Sequence, residues 1–235
     1  MYSQYKARVL AVQRPCTCST RPMYCRRSSV EEKNECIFAH VGENTYLRSH
    51  KPKRRMKIAV YCSANEHIDP DFFTITADLG RRLAERRHDI VFGGCNMGLM
   101  ECVARAAKNA GGRTIGVVPR IIEKNGRVSD YVDVVIPCDN LSDRKELMLA
   151  QSDMAIVLPG GIGTLDELFS MAASHTIGYH EKPIVVLNAK GFWNSLFLML
   201  DDLQQRGVVR GDYHRYIQKA ENVGEMMKIV DFIGR

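Results

Sequence analysis

From Met56 onward, short apolar segments alternate with longer amphipathic ones. The short segments are rich in Val and Ile and are predicted as buried strands at 57–62, 89–94, 113–119, 131–137, 154–161 and 182–188. The intervening segments have apolar residues at helical spacing and are predicted as helices at 70–87, 98–110, 140–151, 164–175, 193–206 and 222–233. Strands apolar on both faces that alternate with helices indicate an α/β fold, with a parallel sheet covered on both sides.

Residues 1–55 lack this pattern and hold the positive charge of the chain. They contain twelve Lys and Arg against four Asp and Glu, whereas residues 56–235 contain 21 against 23. The patterned part therefore does not have the charge of a nucleic-acid-binding protein. We interpret residues 1–55 as a basic extension, either disordered or non-native with Met56 as the natural start, and residues 56–235 as a single domain.

The cysteines and the apolar runs exclude several classes of protein. Eight cysteines in 235 residues do not make a disulfide scaffold, and reduced thiols in a cytoplasmic protein are expected. Cys16, Cys18, Cys25 and Cys36 could ligate zinc, but their spacing is not a familiar zinc pattern, so no metal site is predicted. No apolar run approaches the length of a membrane-spanning helix, so no membrane partner is expected.

Turns of small residues follow three of the predicted strands, at 62–64, 93–94 and 160–164. Because the carboxyl ends of parallel strands meet at one edge of the sheet, these turns should lie close together. Ligands of open α/β sheets bind at that edge. The sequence therefore predicts a binding site built from the three turns.

The third turn lies in LPGGIGTLDELF, residues 158–169. Gly160, Gly161 and Gly163 allow the backbone to approach a ligand, and Thr164 can cap the helix or donate to an anion. With the unpaired N–H groups of the helix start, these features are typical of a phosphate site. A tight turn without a ligand is the alternative. The pattern matches neither a Walker A loop nor a dinucleotide-binding fingerprint.

Two carboxylates, Asp166 and Glu167, follow the glycines in what should be the first helical turn. Compensation of the helix dipole would explain one of them. A functional role needs a partner, which the adjacent Arg144 and Lys145 offer near the start of another helix. Arg144 shares a helix face with Met148 and can grip a phosphate or carboxylate with two hydrogen bonds. A solvated helix face is the alternative for this Arg-Lys pair.

Taken together, four motifs resemble the Lonely Guy (LOG) phosphoribohydrolases, which are often labelled lysine decarboxylases. The motifs are PGGIGTLDE at 159–167, SDRKELM at 142–148, VFGGCNMGLM at 91–100 and VYCSAN at 60–65. The match in order and spacing runs from Met56 to about Gly211. It departs from the family at Asp166, Cys95 and Ala64, where Glu, Gly and Ser are usual.

The resemblance implies a fold, a reaction and a set of site residues. The fold would be a Rossmann-like doubly wound parallel sheet in a homodimer, and the enzyme would hydrolyse the N-glycosidic bond of adenine-type nucleoside 5′-monophosphates without a cofactor or metal. Arg144 and Glu167 would be the catalytic pair. The other substrate-binding residues would be Ser63, Gly94, Gly98, Lys145, Met148, Gly160, Gly161, Gly163, Thr164 and Asp166.

The expected chemistry depends on the charge of Glu167. Cleavage of an N-glycoside develops positive charge on the ribose, which a carboxylate can stabilise, or the carboxylate can act as a base toward water. A position at a helix N-terminus should favour the ionised form. A non-catalytic carrier of a nucleotide or phosphate-bearing cofactor is the alternative function. Lysine decarboxylation is disfavoured because no lysine stands in an evident pyridoxal phosphate site.

Overall fold

The computed structural model describes residues 54–235, which contain one parallel sheet of seven strands. The strands are β1 (Lys57–Tyr61), β2 (Asp89–Phe92), β3 (Arg113–Pro119), β4 (Val134–Cys138), β5 (Met154–Val157), β6 (Ile184–Leu187) and β7 (Ile217–Ala220). Their order across the sheet is β4-β3-β2-β1-β5-β6-β7, and every pairing is parallel. The predicted α/β class with a Rossmann-like doubly wound sheet is confirmed.

Helices cover both faces of the sheet. They are α1 (Pro70–Glu85), α2 (Gly98–Asn109), α3 (Arg120–Lys124), α4 (Leu141–Ala150), α5 (Ile162–Thr176), α6 (Asn194–Gln205) and α7 (Val223–Ile233). Alternate residues of β1 point to opposite sides, so Ile58 and Val60 join the core under α1, α2 and α7. Ala59 and Tyr61 join the core under α4, α5 and α6. None of the helices in residues 54–235 is long and apolar enough to cross a membrane.

The strand order reverses between β1 and β5, and this reversal locates the site. From β1 the chain winds outward through β2, β3 and β4, and from β5 it winds the other way. In open α/β sheets such a switch point opens a crevice at the carboxyl ends of the strands. The loops after both strands are held together there, because the Ser63 N–H donates to the Pro159 carbonyl at 3.1 Å.

Several predicted boundaries were wrong by a few residues. The strand predicted at 131–137 begins only at Val134, because Thr114 of β3 hydrogen-bonds the carbonyl of Tyr131 and the carboxylate of Asp133 and holds that stretch as a turn. The helix predicted to begin at Thr164 begins at Ile162. Strand β7 was not predicted, since the segment IQKA is short and half polar, as suits an edge strand.

Candidate active site

A cleft of about 280 Å³ lies at the switch point, between the loops after β1 and β5. It is lined by Cys62, Ser63, Ala64, Met100, Arg144, Gly161, Gly163, Thr164 and Glu167. The first and third of the predicted turns meet here, as expected from strand direction. The second turn contributes indirectly, since Gly93 lies against the guanidinium of Arg144.

The glycine turn presents free backbone to the cleft. Gly161 is the N-cap of α5, and no side chain of residues 54–235 caps the helix there, which leaves its first N–H groups without a side-chain partner from that part of the chain. A Cβ on Gly161 or Gly163 would meet no atom of the described residues within 4 Å, so packing within 54–235 does not require either glycine. These are the properties of an anion site at a helix N-terminus.

Gly160 and Thr164 pack against each other. A Cβ on Gly160 would overlap the Thr164 side chain, with the Thr164 Cβ at 2.6 Å, so Gly160 makes room for that residue. Thr164 is buried at the third position of α5 and does not cap the helix. Of the two roles considered for Thr164, capping of α5 is therefore wrong, whereas donation to an anion stays a prediction, since the residue lines the cleft.

Arg144 lies almost buried across the floor of the cleft. Its Nη2 is 3.4 Å from Oε1 of Glu167, and the two side chains are only 13% and 9% exposed. Within residues 54–235, neither Nε nor Nη2 of Arg144 has a hydrogen-bond partner. A buried guanidinium with uncommitted donors is unfavourable unless a ligand accepts from it. The arrangement therefore favours an anionic or hydroxyl-bearing ligand.

Glu167 was predicted to lie in the first turn of a helix, and this prediction is wrong. Because α5 begins at Ile162, Asp166 and Glu167 lie beyond its first turn, and the dipole of the helix end does little for them. Burial raises the pKa of Glu167 to about 7, while the charges of Arg144 and Lys145 oppose the rise and that of Asp166 adds to it. The carboxylate is thus poised near neutral pH, rather than firmly ionised.

Lys145 and Asp166 are bonded to each other. Lys145 Nζ donates to both carboxylate oxygens of Asp166, at 2.7 and 2.8 Å, and Ser170 is within 3.4 Å of the same carboxylate. This ion pair joins α4 to α5 beside Arg144 and Glu167. It holds the two helices that carry the buried pair and does not itself line the cleft.

Three further residues that were predicted to bind substrate have clear packing roles. Met148 is fully buried in the core under α4. Gly94 and Gly98 have positive φ angles of 70° and 57°. A Cβ on Gly94 would overlap Val118, and one on Gly98 would lie 2.8 Å from the carbonyl oxygen of Ser63. Gly98 therefore lets α2 begin directly against the loop after β1, where Leu99 N–H donates to that carbonyl at 2.9 Å.

Sequence reasoning missed Tyr61 and Met100. Both are buried and were interpreted only as apolar members of a strand and a helix. Met100 lines the cleft, and Tyr61 lies behind Glu167 in a neighbouring cavity. Their place at the carboxyl end of β1 and the start of α2 was the available signal, because that edge of the sheet was already expected to bind the ligand.

Metal ligation is not supported in the part of the chain that the structure describes. Residues 54–235 contain no group of three or more His, Cys, Asp or Glu arranged to hold a metal ion. Cys62, Cys95, Cys102 and Cys138 are free and buried. The possible zinc ligands Cys16, Cys18, Cys25 and Cys36 lie outside the described residues.

Comparison with known proteins identifies the family to which the chain is similar. Residues 100–230 match the family model described as "Possible lysine decarboxylase". The chain is 33% identical over 175 residues to cytokinin riboside 5′-monophosphate phosphoribohydrolase LOG7 of Arabidopsis thaliana, covering 74% of this chain and 81% of the relative. It is 34% identical over 171 residues to a Mycobacterium tuberculosis phosphoribohydrolase of the same description, covering 73% and 91%.

Solved structures share the fold. A molybdenum cofactor binding protein from Rippkaea orientalis superposes with a TM-score of 0.60 at 25% identity, over 77% of this chain and 98% of the other. The Moco carrier protein of Chlamydomonas, at 23% identity and a TM-score of 0.58, shows the fold alone.

Fold and site together define a Rossmann-like α/β protein with a glycine-lined cleft and a buried carboxylate–guanidinium pair. This combination of fold and site is consistent with the sequence similarity to phosphoribohydrolases over about three quarters of the chain. The chain belongs to the LOG family of phosphoribohydrolases.

Proposed function

We propose that this protein hydrolyses the N-glycosidic bond of adenine-type nucleoside 5′-monophosphates, AMP or its N6-substituted forms, to a free base and ribose 5-phosphate. The observation that carries the proposal is the buried pair of Arg144 and Glu167, facing a cleft whose glycines offer free backbone N–H groups. The named activity of the Arabidopsis and mycobacterial relatives supports the same reaction.

The 5′-phosphate is placed at the start of α5. Backbone N–H groups around Gly161 and Gly163 donate to its oxygens, and the helix dipole favours its charge. Ser63 lies across the cleft, on the loop after β1. A phosphate anchored there leaves the ribose to extend toward Glu167 on the same helix.

The chemistry then needs little beyond the buried pair. As the bond between C1′ and the base nitrogen breaks, its electrons leave with the base and positive charge develops on the ribose. The departing base takes up one proton, which balances the proton that water gives up. Ionised Glu167 stabilises this charge and accepts a proton from the attacking water. Arg144 orients the carboxylate through the contact of its Nη2 with Oε1 of Glu167.

The rate should depend on pH near neutrality. Because Glu167 acts in its ionised form and its pKa is about 7, kcat should fall about tenfold per pH unit below that value and level off above it. Measurement of kcat from pH 5 to 9 checks this. A rate that stays flat down to pH 5 would contradict the role of Glu167 as the titrating group.

Substitution of Gly163 by Ala should separate ligand binding from stability. The position is open and helical, so Ala should leave the free energy of unfolding unchanged or raise it by up to about 1 kcal/mol. The new Cβ would enter the space of the phosphate and should weaken AMP binding at least tenfold, as measured by calorimetry.

The matched control for Gly163 is Gly224→Ala. Gly224 occupies the same second position of α7, outside the cleft. It should leave AMP affinity unchanged. Equal affinity of both variants for AMP would argue against a phosphate at the start of α5.

A direct test of the function compares two substrates. The full-length protein is incubated with AMP and with N6-isopentenyl-AMP, and release of ribose 5-phosphate is measured. Release from either substrate supports the proposal, and the ratio of the two rates identifies the preferred base. No release, with the nucleotide bound intact, would favour a carrier instead, the second candidate suggested by the molybdenum cofactor binding protein.

We also propose that the protein acts as a homodimer. Apolar residues of α5 and α6 line a groove of about 400 Å³, which includes Phe169, Leu200 and Val208. Val208 lies in this groove and is 68% exposed, and exposed apolar patches are typical of protein–protein contacts. Size-exclusion chromatography with light scattering tests the stoichiometry.

A further inference from the structure

A second cavity of about 240 Å³ lies between α4 and α5 and is also bounded by Glu167. We call it the α4–α5 cavity. It is lined by Tyr61, Ser142, Lys145, Glu146, Leu149, Glu167, Ser170, Met171 and Ser174. Glu167 is the residue that this cavity shares with the glycine-lined cleft. The cavity therefore gives access to the carboxylate from a side that the phosphate does not occupy.

The hydroxyl of Tyr61 has a poor partner in this structure. The side chain is 2% exposed, and its O–H donates to Sδ of Met171 at 3.8 Å. A thioether sulfur is a weak acceptor, whereas a buried phenol normally finds a strong one. Two carboxylates line the cavity among the described residues, those of Glu146 and Glu167. Glu146 is exposed to solvent, whereas Glu167 is buried and lies within electrostatic range of Tyr61.

Glu167 needs such a donor if it is to act as an anion. Burial raises its pKa, and its contact with Arg144 is a loose one at 3.4 Å. The charged or titratable groups that face it are Tyr61 from β1, Cys62 directly after β1, Arg144 and Lys145 from α4, and Asp166 from α5. Glu146 of α4 lines the same cavity. Burial and Glu167 itself raise the pKa values of the Tyr61 hydroxyl and the Cys62 thiol, so both remain neutral donors.

We propose that an ordered water in the α4–α5 cavity joins the hydroxyl of Tyr61 to the carboxylate of Glu167, so that Tyr61 is a positioning residue for that carboxylate. The cavity has room for several waters, at roughly 30 Å³ each. Its hydroxyl and carboxylate groups supply the two to four polar partners that a buried water needs. The hydrogen bonds favour the ionised carboxylate and fix its orientation toward the cleft.

Tyr61→Phe tests the proposal because it removes the hydroxyl and keeps the ring in place. The carboxyl ¹³C signal of Glu167 is followed against pH in the free protein and is assigned as the signal missing from Glu167→Gln. Loss of a donor to the ionised form should raise the pKa of Glu167 by about one unit. This readout does not require the protein to be an enzyme.

Ser174→Leu tests the water itself. The longer apolar side chain should fill the cavity and displace the water, while the Tyr61 hydroxyl remains. It should raise the pKa of Glu167 as Tyr61→Phe does, and the double variant should show little further rise. The control is Tyr213→Phe, which removes another buried hydroxyl that bonds Asp201 and does not line either cavity.

The activity readout rests on the proposed function. In Tyr61→Phe the acid limb of the kcat profile should move about one unit to higher pH, with KM for AMP within twofold of the parent. A shift of the ¹³C titration without hydrolysis in any variant would uphold the proposal and count against the function. An unchanged pKa of Glu167 in Tyr61→Phe, or a rise there but none in Ser174→Leu, would overturn the bridging water.

Discussion

Glu167→Gln should lower kcat for release of ribose 5-phosphate at least a thousandfold and leave AMP binding within about threefold. The amide keeps the shape of the side chain but cannot hold negative charge, so it neither stabilises the developing charge on the ribose nor accepts a proton from water. Loss of one preorganised electrostatic group at a reacting centre typically costs a factor of 10² to 10³, and loss of the base adds to it. Single-turnover kinetics and calorimetry measure the two quantities.

The matched control is Asp89→Asn. Asp89 is also a buried, ion-paired carboxylate, bonded to Arg55, but it lies at the start of β2, at the opposite edge of the sheet. The Asp89→Asn substitution should alter the free energy of unfolding. It should leave kcat unchanged under conditions in which the variant and the parent protein are folded. Survival of turnover in Glu167→Gln would remove Glu167 from the mechanism and leave Arg144 as an anion-binding residue.

The fold follows closely from local sequence because each central strand carries its own apolar pattern, which the edge strand β7 lacks. Segments such as MAIV in β5 and IVVL in β6 are apolar on both faces, which only a central strand of a covered parallel sheet accommodates. The turns at the ends of β1 and β5 could then be assigned to one edge. That these turns lie close together could be predicted from the direction of the strands alone, without knowledge of contacts between distant residues.

The protonation of Glu167 could not be predicted in the same way. A shift of two residues in the start of α5 removes the carboxylate from the first helical turn, and the boundary of a glycine-rich turn is difficult to place from sequence. Burial depends on α4 and β1, which come from distant parts of the chain. The expected stabilisation by the helix dipole was therefore replaced by a desolvation effect of opposite sign.

The roles of the glycines were also resolved only by packing. Gly161 and Gly163 face open space, whereas Gly160 accommodates Thr164 and Gly98 accommodates the loop after β1. In sequence all four simply look permissive. The distinction matters for function. A glycine that packing does not require leaves space that a ligand can occupy.

Gly93→Ala should abolish most of the activity while the protein stays folded. Gly93 does not need a positive φ, but a Cβ there would overlap Nη2 of Arg144 and lie 2.8 Å from its Cζ. The far end of a flexible side chain is displaced more easily than backbone, so the free energy of unfolding should fall by only about 1 kcal/mol. Displacement of the guanidinium should lower kcat/KM at least a hundredfold, which corresponds to about 2.7 kcal/mol.

A double-variant cycle with Arg144→Ala distinguishes displacement of Arg144 from general damage to the cleft. If Gly93→Ala acts through the guanidinium, it should reduce kcat/KM by less than threefold when Arg144 is already Ala, since no long side chain remains to collide with the new Cβ. Independent, additive losses would instead mean that Gly93 contacts the ligand itself. The cycle thus decides whether the second glycine turn reaches the substrate directly or only by seating Arg144 against Glu167.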